Sequence, residues 1–340
     1  MQSRIRKIAL EEHFMTPGFE GYSETFTQHF AGQAERDLQR RLASLSDERI
    51  GEMDAAGIQL MVLSQTGPGV QVEKDPHVAA RAAARSNDYL AEAVGRHPDR
   101  LAGFASLAMH CPETASRELR RATKELGFLG AMVHGHTLGA YYDSPAYDAF
   151  WETLQDLDVP LYLHPADAAV PPASFADHPV LSGAVWGWGV ETGTHALRLL
   201  FSGVFDRFPK VRVLLGHMGE GLPFYRWRFD SRFAVYSQGV ELAGPPSSYF
   251  GRNIFVTTTG VCSPAVLTCV IDEMGADAVL WSVDYPYESA LIAADFIEKA
   301  PLSPELRQRI CAGNAERILR LADRRKQLPH TDLAPASDAL

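Results

Sequence analysis

Short apolar runs alternate with segments of helical spacing along the chain from Lys7 to about Ala322. Eight of the runs read as strands: Lys7–Phe14, Ile58–Ser64, Leu101–Leu107, Phe128–Gly135, Pro160–His164, Val211–His217, Ile254–Thr259 and Val279–Asp284. Most are continuously apolar, the pattern of parallel strands covered on both faces. Helical spacing runs through Asp47–Ala56, Pro76–Arg96, Pro112–Leu126, Pro145–Leu157, Thr192–Phe205, Ser263–Met274 and Glu288–Lys299. Ser303-Pro304-Glu305 opens a last helix that reaches about Ala322, with Pro304 in the first turn, where a missing N–H costs nothing. Ser46 is placed to cap the first of these helices and Gly57 to stop it.

Alternating strands and helices predict βα units, and eight units predict an α/β protein of the (β/α)8 TIM-barrel type. The competing fold is an open doubly wound sheet. That fold normally carries a Gly-rich phosphate turn after an early strand, and none is present. Three long stretches break the rhythm: Thr16–Leu42 after strand one, Ala166–Val190 after strand five and Tyr225–Arg252 after strand six. Each follows the C-terminal end of its strand, the side on which barrels build their active sites. Residues 1–324 read as one barrel domain, and the polar, Pro- and Ala-containing residues 325–340 as a disordered tail.

Composition narrows the function. The 340 residues are 46% hydrophobic and 22% charged, with a net charge of −10, which speaks against nucleic acid or an anionic membrane as partner. No apolar run approaches the ~20 residues of a membrane span. The basic start Arg4-Arg6-Lys7 runs into two glutamates too soon for a signal peptide. Cys111, Cys262, Cys269 and Cys311 form no C-x-x-C pair and read as reduced thiols of a cytoplasmic enzyme.

Polar residues at the strand ends carry the chemistry. Strand one ends in Glu11-Glu12-His13; alternation puts Glu11 and His13 on one face and Glu12 on the other. Strand five ends in His164, strand six in Gly216-His217-Met218-Gly219-Glu220 and strand eight in Asp284. In a parallel barrel these ends open on one face, so Glu11, His13, His164, His217 and Asp284 converge there. Buried without partners they would cost several kcal/mol. A divalent metal would satisfy them together, with Zn²⁺ and Mn²⁺ both suited to imidazole and carboxylate donors. His29, His77, His97, His110, His178, His195 and His330 lack a strand-end context and read as structural or surface residues. His134 and His136, at the end of strand four, are candidates to meet a substrate.

The blocks Ala9-Leu10-Glu11-Glu12-His13-Phe14, Phe205-Asp206-Arg207-Phe208-Pro209-Lys210, Gly216-His217-Met218-Gly219-Glu220 and Ser282-Val283-Asp284-Tyr285-Pro286 resemble the amidohydrolase superfamily. The likeness is to the branch of aminocarboxymuconate-semialdehyde decarboxylase. Within it, the chain is most similar to aromatic acid decarboxylases acting on γ-resorcylate, 2,3-dihydroxybenzoate, salicylate and 5-carboxyvanillate. The resemblance runs from Lys7 to about Leu321. It implies Glu11, His13, His164 and Asp284 as metal ligands and His217 with Glu220 as the pair beside the metal. It also implies Arg228 as the cation that meets the substrate's anionic group, and homodimers or homotetramers. Two departures stand out. His134 occupies the place of an asparagine in the resorcylate and dihydroxybenzoate enzymes, and Gly135-His136-Thr137-Leu138-Gly139 looks more like the carboxyvanillate enzyme. In the strand-five loop, Trp186-Gly187-Trp188 is placed to wall an aromatic ring, Trp188 in particular.

The implied reaction is metal-dependent, non-oxidative decarboxylation of an ortho-hydroxybenzoate-type acid, with no organic cofactor. A proton reaches the carboxyl-bearing ring carbon, from Asp284 as acid, before CO₂ leaves. The alternative is a mononuclear metal-dependent hydrolase or hydratase acting on a lactone or related substrate. Binuclear relatives use H-x-H on strand one and a bridging lysine on strand four; here strand one gives E-x-H and strand four offers no lysine. A non-catalytic metal-binding barrel is the remaining reading, and the acid/base set His217, Glu220 and Asp284 argues against it.

Overall fold

A computed structural model describes residues 5–27 and 30–324. His29, His330 and the expected tail at 325–340 lie outside the described residues. Eight parallel strands follow one another around a single sheet in sequence order. They are β1 (Lys7–Phe14), β2 (Ile58–Gln65), β3 (Leu101–Ala105), β4 (Gly130–His134), β5 (Leu161–His164), β6 (Val213–Leu215), β7 (Ile254–Thr257) and β8 (Val279–Leu280). β1, β4, β5, β6, β7 and β8 are buried at every position, as parallel strands covered on both faces are, and in β1 the burial extends to Lys7, Glu11, Glu12 and His13. The seam closes where the chain after β8 meets β1. His13 N–H donates to the Tyr285 carbonyl at 2.7 Å, and Asp284 N–H to the Glu11 carbonyl at 2.9 Å.

Most observed strands stop short of, or run past, the predicted ends, and β8 is the most instructive. Its last residues leave the ladder because a side chain takes their donors. Glu12 accepts from Val283 N–H at 3.0 Å, Tyr285 N–H at 3.1 Å and the Ser282 hydroxyl at 2.9 Å. Ser282 Oγ in turn accepts from the N–H groups of Leu10 and Glu11 at 2.9 and 2.7 Å. One carboxylate and one hydroxyl thus stitch the barrel shut.

Helices pack outside the barrel, among them Asp47–Ala56, Pro76–Arg96, Pro112–Lys124, Asp148–Leu157, Pro264–Met274 and Ala290–Lys299. Gly57 ends the first in the left-handed conformation, but Ser46 caps its start without a side-chain bond. Three predictions need correction. The helix expected over Thr192–Phe205 runs instead over Gly187–Phe201, so Trp188 sits in a helix rather than a loop. The long stretches after strands one and six contain helices at Gln33–Ala43 and Arg226–Phe233. The single last helix is broken by a wide turn at Arg309–Gly313. There the Ile310 carbonyl accepts from Trp281 N–H at 3.0 Å, and the Asn314 amide donates to Ala276 and Val279 carbonyls at 2.8 and 2.7 Å. Anchoring to β8 overrides the helical ladder.

Among the described residues no helix is long and apolar enough to cross a membrane. All four cysteines are unpaired.

Candidate active site

The strand ends converge as the topology requires. One ligand atom from each of Glu11, His13, His164 and Asp284 falls in a group whose members all lie within 4.8 Å of one another. His164 Nε2 is 3.3 Å from Glu11 Oε1, and His13 Nε2 is 3.0 Å from Asp284 Oδ1. None of these four atoms has a hydrogen-bond partner, although all are buried. Leaving four polar atoms dry and unpaired would be costly. Their shared direction and their chemistry, two imidazoles and two carboxylates, fit a divalent cation.

The rest of each side chain is fixed so that one atom stays free. His164 Nδ1 bonds the Pro165 carbonyl at 2.9 Å, which leaves Nε2 to point inward. Glu11 Oε2 accepts a bond from the Tyr162 hydroxyl, which is 2.8 Å from Thr257 Oγ1. Gly216, immediately before His217, lets Glu11 into this position. A Cβ there would lie 2.6 Å from Glu11 Oε2. The buried Arg49 donates to the His13 carbonyl at 2.7 Å and holds the end of β1 in place.

His217 and Glu220 stand beside the cluster. His217 Nδ1 is 2.8 Å from Glu220 Oε1, and its Nε2 is 3.7 Å from Asp284 Oδ2. His217, Met218, Glu220 and Asp284 all have positive φ. Such backbone costs free energy in non-glycine residues and clusters at functional sites. Burial opposes a charged His217, but Glu220, Glu11 and Asp284 together hold it well above the usual imidazole range. Burial likewise opposes an ionised Asp284, yet His13 and His217 hold it below the usual carboxylate range. Burial, followed by the neighbouring His13, pushes His164 down to about 3, leaving a neutral ring with a free lone pair.

His134 lies against the cluster. Its ring centroid is 4.7 Å from that of His164, and its Nε2 is buried without a partner. Cross-strand register explains this, since His134 and His164 are paired residues at the ends of β4 and β5. His136 faces away toward Tyr141, 5.6 Å between centroids, and its Nδ1 accepts from Gly139 N–H. Trp188 stacks on Phe26 at 4.3 Å, and Phe26 lies 5.8 Å from His164. The structure does not bring Arg228 to the cluster. It is exposed and lines a groove of about 390 Å³ with Phe201, Phe233 and Tyr236, which no cluster residue lines.

Sequence reasoning missed several neighbours. Tyr162 was legible, two residues before His164 and therefore on the same strand face. Tyr287, 5.7 Å from His13, and Phe26 come from segments with no periodicity to read.

A family model described as amidohydrolase matches residues 13–321. The chain belongs to the amidohydrolase family. Among its amidohydrolase relatives is a gamma-resorcylate decarboxylase of Polaromonas sp., 42% identical over 327 residues, covering 93% of this chain and 98% of the relative. A solved dihydroxybenzoic acid decarboxylase from Polaromonas sp., with manganese and 2-nitroresorcinol bound, superposes with a TM-score of 0.88. It is 41% identical, covering 95% of this chain and 99% of that one. A 5-carboxyvanillate decarboxylase of Novosphingobium aromaticivorans, complexed with manganese and 4-hydroxy-3-methoxy-5-nitrobenzoic acid, gives a TM-score of 0.88. Its identity is 32%, over 94% of this chain and 99% of that one.

Proposed function

We propose that this amidohydrolase is a carboxy-lyase that removes CO₂ from an ortho-hydroxybenzoate-type acid without oxidation. The observation that carries the reading is the convergence of unpartnered atoms of Glu11, His13, His164 and Asp284, in a chain similar to decarboxylases over nearly its whole length. Glu11, His13, His164 and Asp284 would hold a divalent ion, which when bound would supply electrophilic assistance to the substrate.

The chain's own residues do the rest. Loss of CO₂ directly from an arene leaves an unstable aryl anion, so the carboxyl-bearing carbon must first accept a proton. The proton resides on His217, held charged beside Glu220. Its Nε2 lies 3.7 Å from Oδ2 of Asp284, and that carboxylate, ionised at rest, is placed to take up the proton and pass it to the ring carbon. Cleavage of the C–C bond then restores aromaticity. His134 offers its free Nε2 to a substrate oxygen, and Phe26 stacked on Trp188 supplies a flat wall beside the ring. His136, packed edge-on against Tyr141 and accepting from Gly139 N–H, takes no part in this scheme.

The reading extends to assembly as a homodimer or homotetramer. Phe224 and Trp227 are 75% and 76% exposed, with Tyr225 between them and Tyr236 further along the chain also exposed, a surface typical of protein contacts. Light scattering after size-exclusion chromatography checks it; a monomer at all concentrations removes it.

The deciding experiment is product analysis over a panel of ortho-hydroxybenzoates and lactones in deuterated water, with metal content measured. Decarboxylation with one deuteron at the vacated carbon is the expected result. Hydrolysis or hydration without CO₂ release would replace the reading with its alternative. Asp284→Asn should lower turnover by about 10²- to 10⁴-fold, the range for loss of a general acid. Near-normal turnover would remove Asp284 from that role.

A further inference from the structure

The four-donor group does not exhaust the buried imidazoles. His13, His134 and His164 form a second group whose ligand atoms also lie within 4.8 Å of one another, all three residues buried. Tetrahedral zinc holds its nitrogen donors about 3.3 Å apart, so a closure of at most about 1.5 Å, within reach of side-chain rotation, would let the trio share one ion. His134 groups with the imidazoles and not with the carboxylates. Its Nε2, like His164 Nε2 and both His13 ring nitrogens, has no hydrogen-bond partner. A chain that only needed to fill this space could have placed an apolar side chain there at no polar cost. Gly67 keeps His134 where it is, since a Cβ at that position would fall 2.6 Å from the His134 ring and from Phe26.

We propose that this pocket contains two overlapping metal seats that share His13 and His164. One is completed by the carboxylates Glu11 and Asp284, the other by the imidazole of His134. The proposal rests on the metal site of the proposed function and adds that His134 sets metal preference. Carboxylate donors suit manganese, whereas an all-imidazole set favours zinc and copper, which follow nitrogen donors up the Irving–Williams order. A metal in the all-imidazole seat has left the carboxylates and engaged the nitrogen that would otherwise meet substrate. This seat thus makes zinc a tight-binding but poorly activating ion.

Metal affinity, with no turnover involved, provides the test. Metal-free full-length protein is titrated calorimetrically with Mn²⁺ and Zn²⁺, alongside His134→Ala and His134→Asn, with circular dichroism to confirm folding. Both variants should lose more than ~10-fold in zinc affinity, the lower bound for removing even a supporting partner, with manganese affinity unchanged. The visible spectrum of the Co²⁺ form should change in the variants. Equal losses for both metals, or no loss for zinc, or an unaltered Co²⁺ spectrum, would each overturn the proposal. Failure of the underlying metal site has a separate signature: wild-type protein that binds neither ion. If His134→Ala does not fold, His134→Asn, of similar polarity and smaller volume, still decides the matter.

Discussion

Glu11 and Glu12 are neighbours in sequence, equally buried and opposite in condition. Glu12, on the outer face of β1, is surrounded by donors: one hydroxyl and two backbone N–H groups close on it. Glu11, on the inner face, has one oxygen held by Tyr162 and the other aimed at three further unpartnered ligand atoms. The first carboxylate belongs to the scaffold and the second to the chemistry. Burial alone separates nothing here; the direction and occupancy of each lone pair do.

The largest effect should come from the inner face. Replacing His13 and His164 together by alanine removes half of the four-donor set and both residues common to the two proposed seats. Bound metal, measured by elemental analysis after desalting, should fall from about one ion per chain to background, and activity with it. Retained stoichiometric metal would show that the unpartnered atoms serve something else.

The outer face should answer differently. Glu12→Ala strands the Ser282 hydroxyl and the N–H groups of Val283 and Tyr285. At near 1 kcal/mol for each stranded donor, the loss should be about 3 kcal/mol of stability, read from urea unfolding. Molecules that remain folded should bind metal with little change. A metal defect as large as that of the His13/His164 double variant would erase the distinction between the two faces.

Much of this contrast is legible in the sequence itself. Period-two alternation places Glu11 and His13 opposite Glu12, and the parallel topology brings the ends of β1, β5 and β8 together. The order of eight strands follows from apolar runs punctuated by helices. What sequence does not reveal lies in long-range packing. Phe26 reaches the site from the first loop with no local pattern to announce it. Trp188 starts a helix among glycines, residues that read as loop. β8 shortens because Glu12, some 270 positions away in sequence, captures its donors. Arg228 matches a family motif, yet in a single chain it faces the exterior groove.

A third buried group sharpens the contrast from another side. His195 is as buried as His13, but its neighbours are Tyr141 and Tyr142 at 5.0 and 4.9 Å rather than converging donors. Burial, then the charges near it, pushes His195 from 6.5 down to about 3. Its folded pKa lies below its unfolded value, so between those pH values the unfolded chain binds the extra proton. The contribution is complete above pH 6.5 and is lost as pH falls toward 3, on the order of 5 kcal/mol at most. His195→Gln keeps an acceptor for Tyr142 N–H and does not titrate. Its thermal stability should decline less than wild type on the acid side, with metal binding unaltered. Parallel pH profiles would refute this assignment.

The smallest expected effect distinguishes two tryptophans separated by a single residue. Trp188 stacks on Phe26, which reaches His164, whereas Trp186 is 57% exposed. An aromatic contact of this kind contributes ~0.5–1.5 kcal/mol beyond area burial, equivalent to roughly 2- to 12-fold in binding. Phe26→Ala and Trp188→Ala should therefore raise KM by about that factor and leave kcat nearly intact, because neither side chain handles the proton. Trp186→Ala should change neither constant. Should kcat fall in step with kcat/KM for Phe26→Ala, the ring would be positioning reacting atoms, and the boundary drawn here between wall and catalytic cluster would have to move outward to include the first loop.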